Sequence, residues 1–217
     1  MIRGIIFDLD GVLVHTDELH FDAWSRIARE LDVPFDRAAN ERLRGVGRRD
    51  CLDILLERYH GTPLSEHDKQ ILCDRKNDLY RALLSALSPS DVPEETRRVL
   101  RTLRARGLKT AVGSSSRSAR LILAETQLDA LFDAVADGGD APRSKPAPDI
   151  FLRAAEMLGL DASDCAVVED APAGIAAARA AGMTAIGLGT PARLGETGPD
   201  YMIRSLPELL PLPIFPA

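Results

Sequence analysis

The chain has 217 residues, of which 45% are hydrophobic and 28% are charged, and its formal net charge is −6. This composition indicates a globular protein with one large or two modest domains, and the net negative charge argues against a nucleic-acid partner. The N-terminus enters an apolar segment directly, without a signal sequence, and no apolar run reaches membrane-spanning length, so we expect a cytoplasmic protein with no membrane partner.

The first predicted element is an apolar strand that runs into two aspartates, in the segment IIFDLDGVLV at residues 5–14. One interpretation is that Asp8 and Asp10 simply cap a turn after an edge strand. The other is that both carboxylates point the same way, because residues i and i+2 of a strand share a face, and that a cation gathers there. Residues elsewhere in the chain are needed to distinguish these two interpretations.

A helical region follows this strand. TDELHFDAWSRIARELDV is amphipathic, with Thr16 placed to cap the helix, and further helical patterns run from about Glu41 to Ala86. An all-helical insertion of roughly seventy residues is far longer than an ordinary connection between a strand and a helix. It is either a structural elaboration or a lid over the sheet edge, and its position beside the acidic pair favours a lid.

Helices and strands alternate from Pro93 onward, where the predicted strands are LKTAVGS, FDAVAD, CAVVED and MTAIGLG. This alternation predicts an α/β fold with a doubly wound, Rossmann-like parallel sheet covered by helices. The predicted domains are an α/β core of residues 1–14 and 91–217 and a helical cap domain of residues 15–90. We expect the apolar tail LLPLPIFPA to pack on the core rather than form a dimer contact, and the chain to be a monomer.

Polar residues follow the predicted strands at the edge where such sheets bind ligands. Ser114 ends the second strand, Glu169 and Asp170 end the strand CAVV, and Lys145 precedes a helix in SKPAPD. Alone, each has an ordinary explanation as a helix cap, a polar turn or a solvated charge. Together with the acidic pair they would bring four carboxylates to one edge, and a divalent cation would relieve their repulsion.

The ligand chemistry of this cluster predicts magnesium. The cluster offers oxygen ligands without histidine or thiol, and Mg²⁺ commonly binds through a few carboxylates and a substrate phosphate. Lys145 and the Ser114 hydroxyl would complete a phosphate cradle. One aspartate would then be free to attack phosphorus, which would give an aspartyl-phosphate enzyme.

Four motifs in order, DLDGV, SSS, KPAPD and VVEDAPAGI, resemble those of the haloacid dehalogenase superfamily of phosphotransferases over nearly the whole chain. Within that superfamily, HFDAW, LRGVGR, RKNDLY and KPAPDIF are similar to motifs of bacterial β-phosphoglucomutases. The resemblance implies a Mg²⁺-dependent enzyme that interconverts β-D-glucose 1-phosphate and glucose 6-phosphate. The reaction would pass through an aspartyl phosphate, with β-glucose 1,6-bisphosphate as primer and intermediate.

The resemblance also implies roles for the core residues. Asp8 would be the nucleophile, and Asp10 the general acid–base, able to hold a proton near neutral pH and turned away from the metal. Ser114 and Lys145 would hold the transferring phosphoryl group. The implied metal ligands are Asp8, the backbone carbonyl of Asp10, Glu169 and Asp170.

The helical insertion carries a second set of candidates. Thr16, His20 and Trp24 are spaced at i, i+4 and i+8, so they share one helix face. Such residues are more often core than site, but the resemblance implies that His20 contacts the Asp10 region and that Arg48 binds the phosphate that is not being transferred. The implied catalytic residues are Asp8, Asp10, Thr16, His20, Ser114 and Lys145, and the implied substrate-binding residues are Trp24, Gly45, Val46, Arg48, Lys76, Ser114, Ser115, Ser116, Arg117, Ser118 and Lys145.

Two positions depart from the family pattern, and two other functions stay open. Ser118 stands where many relatives have asparagine in the loop expected to grip the distal phosphate, and His15 stands where aspartate is common. The first alternative function is a Mg²⁺-dependent phosphatase of small sugar phosphates or related monophosphates, which would have no second phosphate for Arg48 to bind. The second is an idle ligand-binding protein of the same fold, against which the complete set of carboxylates argues.

Overall fold

The computed structural model describes residues 1–194 and 198–216 and contains a six-stranded sheet whose neighbouring strands are all parallel. The α/β, doubly wound fold is therefore confirmed. The final strand was not predicted from the sequence, because it is short and lies at the sheet edge. The strands are β1 Gly4–Phe7, β2 Lys109–Gly113, β3 Ala134–Ala136, β4 Cys165–Glu169, β5 Thr184–Leu188 and β6 Tyr201–Ile203.

Helices pack on both faces of this sheet. Side chains of β1 alternate between the two faces, so that Ile5 and Phe7 join one buried cluster and Ile6 joins another. The helices are α1 Asp17–Glu30, α2 Arg37–Glu41, α3 Arg48–Leu56, α4 Glu66–Leu84, α5 Glu94–Ala105, α6 Ala119–Glu125, α7 Asp149–Leu158, α8 Pro172–Ala180 and α9 Pro191–Leu194. The first cluster includes residues of α5 and α6, and the second includes residues of α7 and α8.

The strand order β3-β2-β1-β4-β5-β6 places a change of direction at the centre of the sheet. The chain moves outward from β1 to β3 and then returns to β4, on the other side of β1. In open α/β sheets the crevice at such a switch point is where ligands bind, beyond the carboxyl ends of the strands. Phe7 pairs with Val168 in the register of β1 and β4, so the residues that follow both strands lie side by side.

Helices α1 to α4 lie between β1 and β2 in the chain, and they have a buried cluster of their own, which includes Trp24, Ile27, Leu52 and Leu55. Thr16 precedes α1, but its side chain makes no capping hydrogen bond, which contradicts the predicted role. The reason is that its hydroxyl donates to the Asp10 carboxylate instead. We call residues 15–90 the helical segment.

The C-terminal residues pack as predicted. Leu209 and Phe215 are buried in the cluster on the β1 face, and Ile214 accepts a backbone hydrogen bond from Ile2. The prediction for the last residue, Ala217, lies outside the described residues. Among the described residues, no helix is both long and apolar enough to cross a membrane.

Candidate active site

The loop after β1 separates the two aspartates of the first motif. The strand ends at Phe7, and Gly11 adopts a left-handed conformation with φ of 88°, which suits glycine because it has no Cβ. Asp8 contacts Lys145, whereas Asp10 contacts Thr16 in the helical segment. Both aspartates line the same cavity, but Asp8 and not Asp10 belongs to the carboxylate cluster described next.

Three buried carboxylates meet at the switch point. Oxygen atoms of Asp8, Glu169 and Asp170 lie within 4.8 Å of one another, and each residue is at most 5% exposed. Fully buried Lys145 enters this cluster, with its Nζ 2.5 Å from Asp8 Oδ1 and 2.6 Å from Glu169 Oε1. One ammonium therefore faces two carboxylates, which leaves an excess of negative charge.

The charges in this cluster shift the protonation equilibria of its members. Burial raises the pKa of Asp8 well above its usual range, against the opposing effect of Lys145, and Glu169 adds to the rise. Although burial opposes the charged form of Lys145, the pKa of its ammonium is raised because Asp8 and Glu169 both face it. We infer that Lys145 carries the proton, and that a further cation would hold Asp8 ionised.

The cluster fits a magnesium ion by the chemistry of its donors. Asp8, Glu169 and Asp170 present carboxylate oxygens with no histidine or thiol among them, which suits a hard divalent cation. Both oxygens of Glu169 already accept hydrogen bonds. Oε1 accepts from Lys145, and Oε2 accepts from the backbone N–H groups of Asp170 and Ala171.

Asp10 is surrounded by donors from the helical segment. Its Oδ1 accepts from the Thr16 hydroxyl and from Tyr80 at 3.2 Å, and His20 Nε2 lies 3.5 Å away. Burial opposes ionisation, but these donors, His20 foremost, lower the pKa of Asp10 to about 2. These contacts favour the ionised form of Asp10, and the expectation that it holds a proton near neutral pH during the reaction stays a prediction.

His20 and Lys76 extend this network into the helical segment. Lys76 Nζ lies 2.8 Å from His20 Nδ1, and the His20 ring stacks on Tyr80 with centroids 4.0 Å apart. Burial lowers the pKa of Lys76 to about 8, and burial followed by the charge of Lys76 lowers the pKa of His20. A neutral imidazole can accept from the ammonium at Nδ1 and donate from Nε2 toward Asp10.

A cavity of about 790 Å³ lies between the sheet edge and the helical segment. Arg48 is half-buried there, and burial followed by the charge of Arg117 lowers its pKa. Arg48 Nη1 donates to the Cys73 carbonyl at 3.0 Å. The cavity-lining residues include the predicted Asp8, Asp10, His20, Trp24, Gly45, Val46, Arg48, Lys76, Ser114, Ser115, Ser116, Arg117, Lys145 and Asp170.

Three predicted residues do not line this cavity. Thr16 and Glu169 lie behind it and act on Asp10 and Lys145 by the contacts given above. Ser118 is 2% exposed at the position before α6. The structure thus contradicts the prediction that Ser118 grips substrate, because the loop turns into the helix and buries it. The second departure, His15, is exposed between β1 and α1.

The residues that join the helical segment to the core were not predicted from the sequence. Arg44 Nη2 donates to Asp170 Oδ2 at 2.6 Å, and Ser144 donates to the Asp50 carboxylate. Tyr80 was not predicted either, although it follows Lys76 by four residues and so shares its helix face. That spacing could have indicated Tyr80, whereas the contacts of Arg44 and Ser144 depend on how the helical segment sits on the core.

Comparisons with known proteins agree with this arrangement. Residues 2–182 match the family model for haloacid dehalogenase-like hydrolases. A β-phosphoglucomutase of Bacillus subtilis is 42% identical over 209 residues, which are 96% of this chain and 92% of that protein. A fructose-1-phosphate phosphatase of Escherichia coli, YqaB, is 32% identical over 185 residues, 84% of this chain and 94% of the relative.

The fold is also similar to that of a solved structure. A crystal structure of a β-phosphoglucomutase from Clostridium difficile superposes with a TM-score of 0.89 at 31% sequence identity. The match covers 96% of this chain and 93% of the other. Similarity of this extent includes both the sheet and the helical segment.

Proposed function

Since the chain belongs to the haloacid dehalogenase superfamily, in its β-phosphoglucomutase subfamily, we propose that it interconverts β-D-glucose 1-phosphate and glucose 6-phosphate. The observation that carries this proposal is the presence of cations at two separate places on one cavity. Lys145 contacts Asp8 at the sheet edge, and Arg48 lines the cavity from α3. A β-glucose 1,6-bisphosphate needs a cationic site for each of its phosphates.

Asp8 is the proposed nucleophile. One of its carboxylate oxygens forms a bond to phosphorus while the bond between phosphorus and the sugar oxygen breaks, which gives the aspartyl phosphate. Lys145 and Ser114 hold the transferring group, because charge on its oxygens is stabilised chiefly by positioned cations and donors. Burial supports this role by keeping bulk water from Asp8, which is 5% exposed.

Asp10 is the proposed general acid–base. As a carboxylate it accepts the proton of the sugar hydroxyl that attacks the aspartyl phosphate, and in the reverse direction it returns that proton to the leaving oxygen. Thr16 and Tyr80 hold Oδ1 by donating to it. We assign His20 to the same task, because its Nε2 faces this oxygen and Lys76 fixes the other ring nitrogen.

Magnesium is the proposed metal. Asp8, Asp170 and the Asp10 carbonyl would hold it, and the occupied oxygens of Glu169 favour a role for that residue in holding Lys145 and the loop. When bound, Mg²⁺ would offset the repulsion of the carboxylates and stabilise negative charge on the phosphoryl group.

The helical segment is the proposed cap domain, with residues 15–90 over a core of residues 1–14 and 91–217, in a monomer. Its own buried cluster supports a separate domain, and its contribution of Arg48, Lys76 and Trp24 to the cavity supports a role in holding the sugar phosphate. Trp24 would shape the sugar pocket, because its ring is 5.2 Å from Lys76 Nζ.

The alternative is a Mg²⁺-dependent phosphatase of small sugar phosphates, which the similarity to fructose-1-phosphate phosphatase favours. The deciding experiment incubates the protein with β-glucose 1-phosphate, Mg²⁺ and a trace of β-glucose 1,6-bisphosphate, and follows glucose 6-phosphate and inorganic phosphate together. We expect glucose 6-phosphate as the main product. If inorganic phosphate dominates, the mutase proposal fails and the phosphatase takes its place.

A further inference from the structure

Arg44 joins the helical segment to the carboxylates of the core. It lies between α2 and α3 and is 13% exposed, and its Nη2 is 2.6 Å from Asp170 Oδ2 and 2.8 Å from Asp17 Oδ2. Asp17 begins α1, so one guanidinium bridges a carboxylate of the helical segment and a carboxylate of the core. Charge-assisted hydrogen bonds of this length are among the strong ones in proteins.

The charge balance of the carboxylate cluster explains why this bridge matters. Lys145 contacts Asp8 and Glu169, and Arg44 contacts Asp170. The first cation belongs to the core, whereas the second is carried by the helical segment. Part of the compensation for the buried carboxylates therefore depends on where the helical segment sits.

Two glycines let the backbone segments around the contact between Arg44 and Asp170 approach each other closely. A Cβ on Gly11 would overlap the Asp170 carboxylate and would lie 3.0 Å from Arg44 Nη2. Gly45 has a φ of 71°, and a Cβ there would lie 2.9 Å from the Ala171 Cβ. Glycine at these two places lets the loop after Arg44 and the turn after β1 approach the Asp170 loop closely.

We propose that Arg44 is a positioning residue that makes Mg²⁺ binding and the seating of the helical segment compete for Asp170. This inference rests on the proposed function, since it takes a metal at Asp8 and Asp170. A guanidinium and Mg²⁺ both draw on the charge of the same carboxylate. Because such coupling is reciprocal, a metal that weakens the contact between Arg44 and Asp170 must itself be bound more weakly while that contact exists.

The functional consequence is that the metal loosens the empty enzyme. With Mg²⁺ on Asp170, Arg44 keeps its contact with Asp17, and the helical segment loses one attachment to the core. The cavity then opens more readily to a sugar phosphate. Without the metal, the contact between Arg44 and Asp170 keeps the helical segment packed over the carboxylates.

The test is Mg²⁺ binding to the ligand-free protein, measured by isothermal titration calorimetry with Mg²⁺ alone. We expect Arg44→Gln to lower the Kd for Mg²⁺ by roughly fivefold or more, the usual size of coupling between sites. Arg42→Gln is the matched control, because it removes the same charge two residues away from an exposed pair with Glu57. The control should change the Kd by less than about twofold, as expected for an exposed pair.

A second readout reports the helical segment itself. Trp24 is the only tryptophan of the chain, is 2% exposed and lines the cavity. Mg²⁺ should change its fluorescence in the parent, and Arg44→Gln should show much of that change before metal is added. If Arg44→Gln does not fold, Asp17→Asn gives the same test with opposite sign, because the guanidinium is left to Asp170 and Mg²⁺ should bind more weakly.

The outcomes separate this inference from the proposed function. An unchanged or raised Kd in folded Arg44→Gln, or a tightened or unchanged Kd in Asp17→Asn, overturns the role of Arg44. Fluorescence of metal-free Arg44→Gln identical to that of the parent also overturns it. A parent protein that does not bind Mg²⁺ at all would instead count against the proposed function.

Discussion

Replacement of Arg48 by alanine tests whether the cavity binds a second phosphate group of the substrate. Arg48 begins α3 and lines the cavity, and its Nη1 is engaged by the Cys73 carbonyl at 3.0 Å. That bond fixes one end of the planar guanidinium, which leaves the other N–H groups in a fixed orientation. Arginine suits a phosphate held in this way, because two of its N–H groups can bind two phosphate oxygens at once.

The expected magnitude follows from the partial burial of the site. A hydrogen bond to a charged group is worth roughly 1.5–3 kcal/mol, and ~1.4 kcal/mol corresponds to a factor of ten. Arg48→Ala should therefore lower kcat/KM for β-glucose 1-phosphate by roughly ten- to a hundred-fold. Hydrolysis of acetyl phosphate, which has no second phosphate, should change much less. Both rates are measured on the same preparation.

Arg42→Ala is the control for Arg48→Ala. Arg42 does not line this cavity, pairs with Glu57 on the surface and carries the same charge. We expect little change in either rate, because exposed ion pairs contribute little. Equal losses of both activities in Arg48→Ala, or no loss, would show that Arg48 does not bind the second phosphate, and would favour the phosphatase.

Three further changes test the core and the network around Asp10. Asp8→Asn should abolish the phosphoenzyme, measured as the added mass of one phosphoryl group, and a phosphorylated variant would refute the nucleophile. Lys145→Met should lower the free energy of unfolding by roughly 3–5 kcal/mol at neutral pH, because it leaves buried carboxylates unpaired. The raised pKa of Asp8 predicts that this loss of unfolding free energy becomes smaller as the pH falls, because protonation of the carboxylates removes their repulsion. A loss that instead grows on acidification, measured by denaturant titration, would contradict this explanation. In the free enzyme the pKa of Lys76 is lowered to about 8, so kcat/KM should fall as the pH rises through that value and the ammonium loses its proton. The pH profile of Lys76→Met should lack this alkaline fall.

The residues at the ends of the strands could be predicted from the sequence for a physical reason. Parallel strands joined by helices present their carboxyl ends at one edge, so Asp8, Ser114 and Asp170 had to be neighbours once the alternation of strands and helices was recognised. Lys145 carries no such constraint, since it lies in a loop. Its place was predicted from its position before a helix in SKPAPD and from the resemblance of the KPAPD motif, and the structure puts its Nζ between two carboxylates.

The orientation of Asp10 could not be predicted from the strand pattern. It depends on donors from the helical segment, of which Tyr80 lies 70 residues away in the chain. The role of Arg44 could not be predicted for a similar reason. An arginine before a glycine is no distinctive sequence pattern, and its contact with Asp170 forms only when the helical segment packs on the core. The strand Tyr201–Ile203 was missed because three residues at a sheet edge give too little alternation to detect.

The most direct test of the mutase proposal is the fate of the phosphoryl group on Asp8. Protein is phosphorylated with radiolabelled acetyl phosphate in the presence of Mg²⁺, separated from excess reagent, and mixed at once with a large excess of glucose 6-phosphate. The mutase proposal predicts that most of the label passes to β-glucose 1,6-bisphosphate, because Arg48 and Lys76 would hold the sugar phosphate with its free hydroxyl toward Asp8 and Asp10. Label released mainly as inorganic phosphate, at a rate that glucose 6-phosphate does not change, would contradict it.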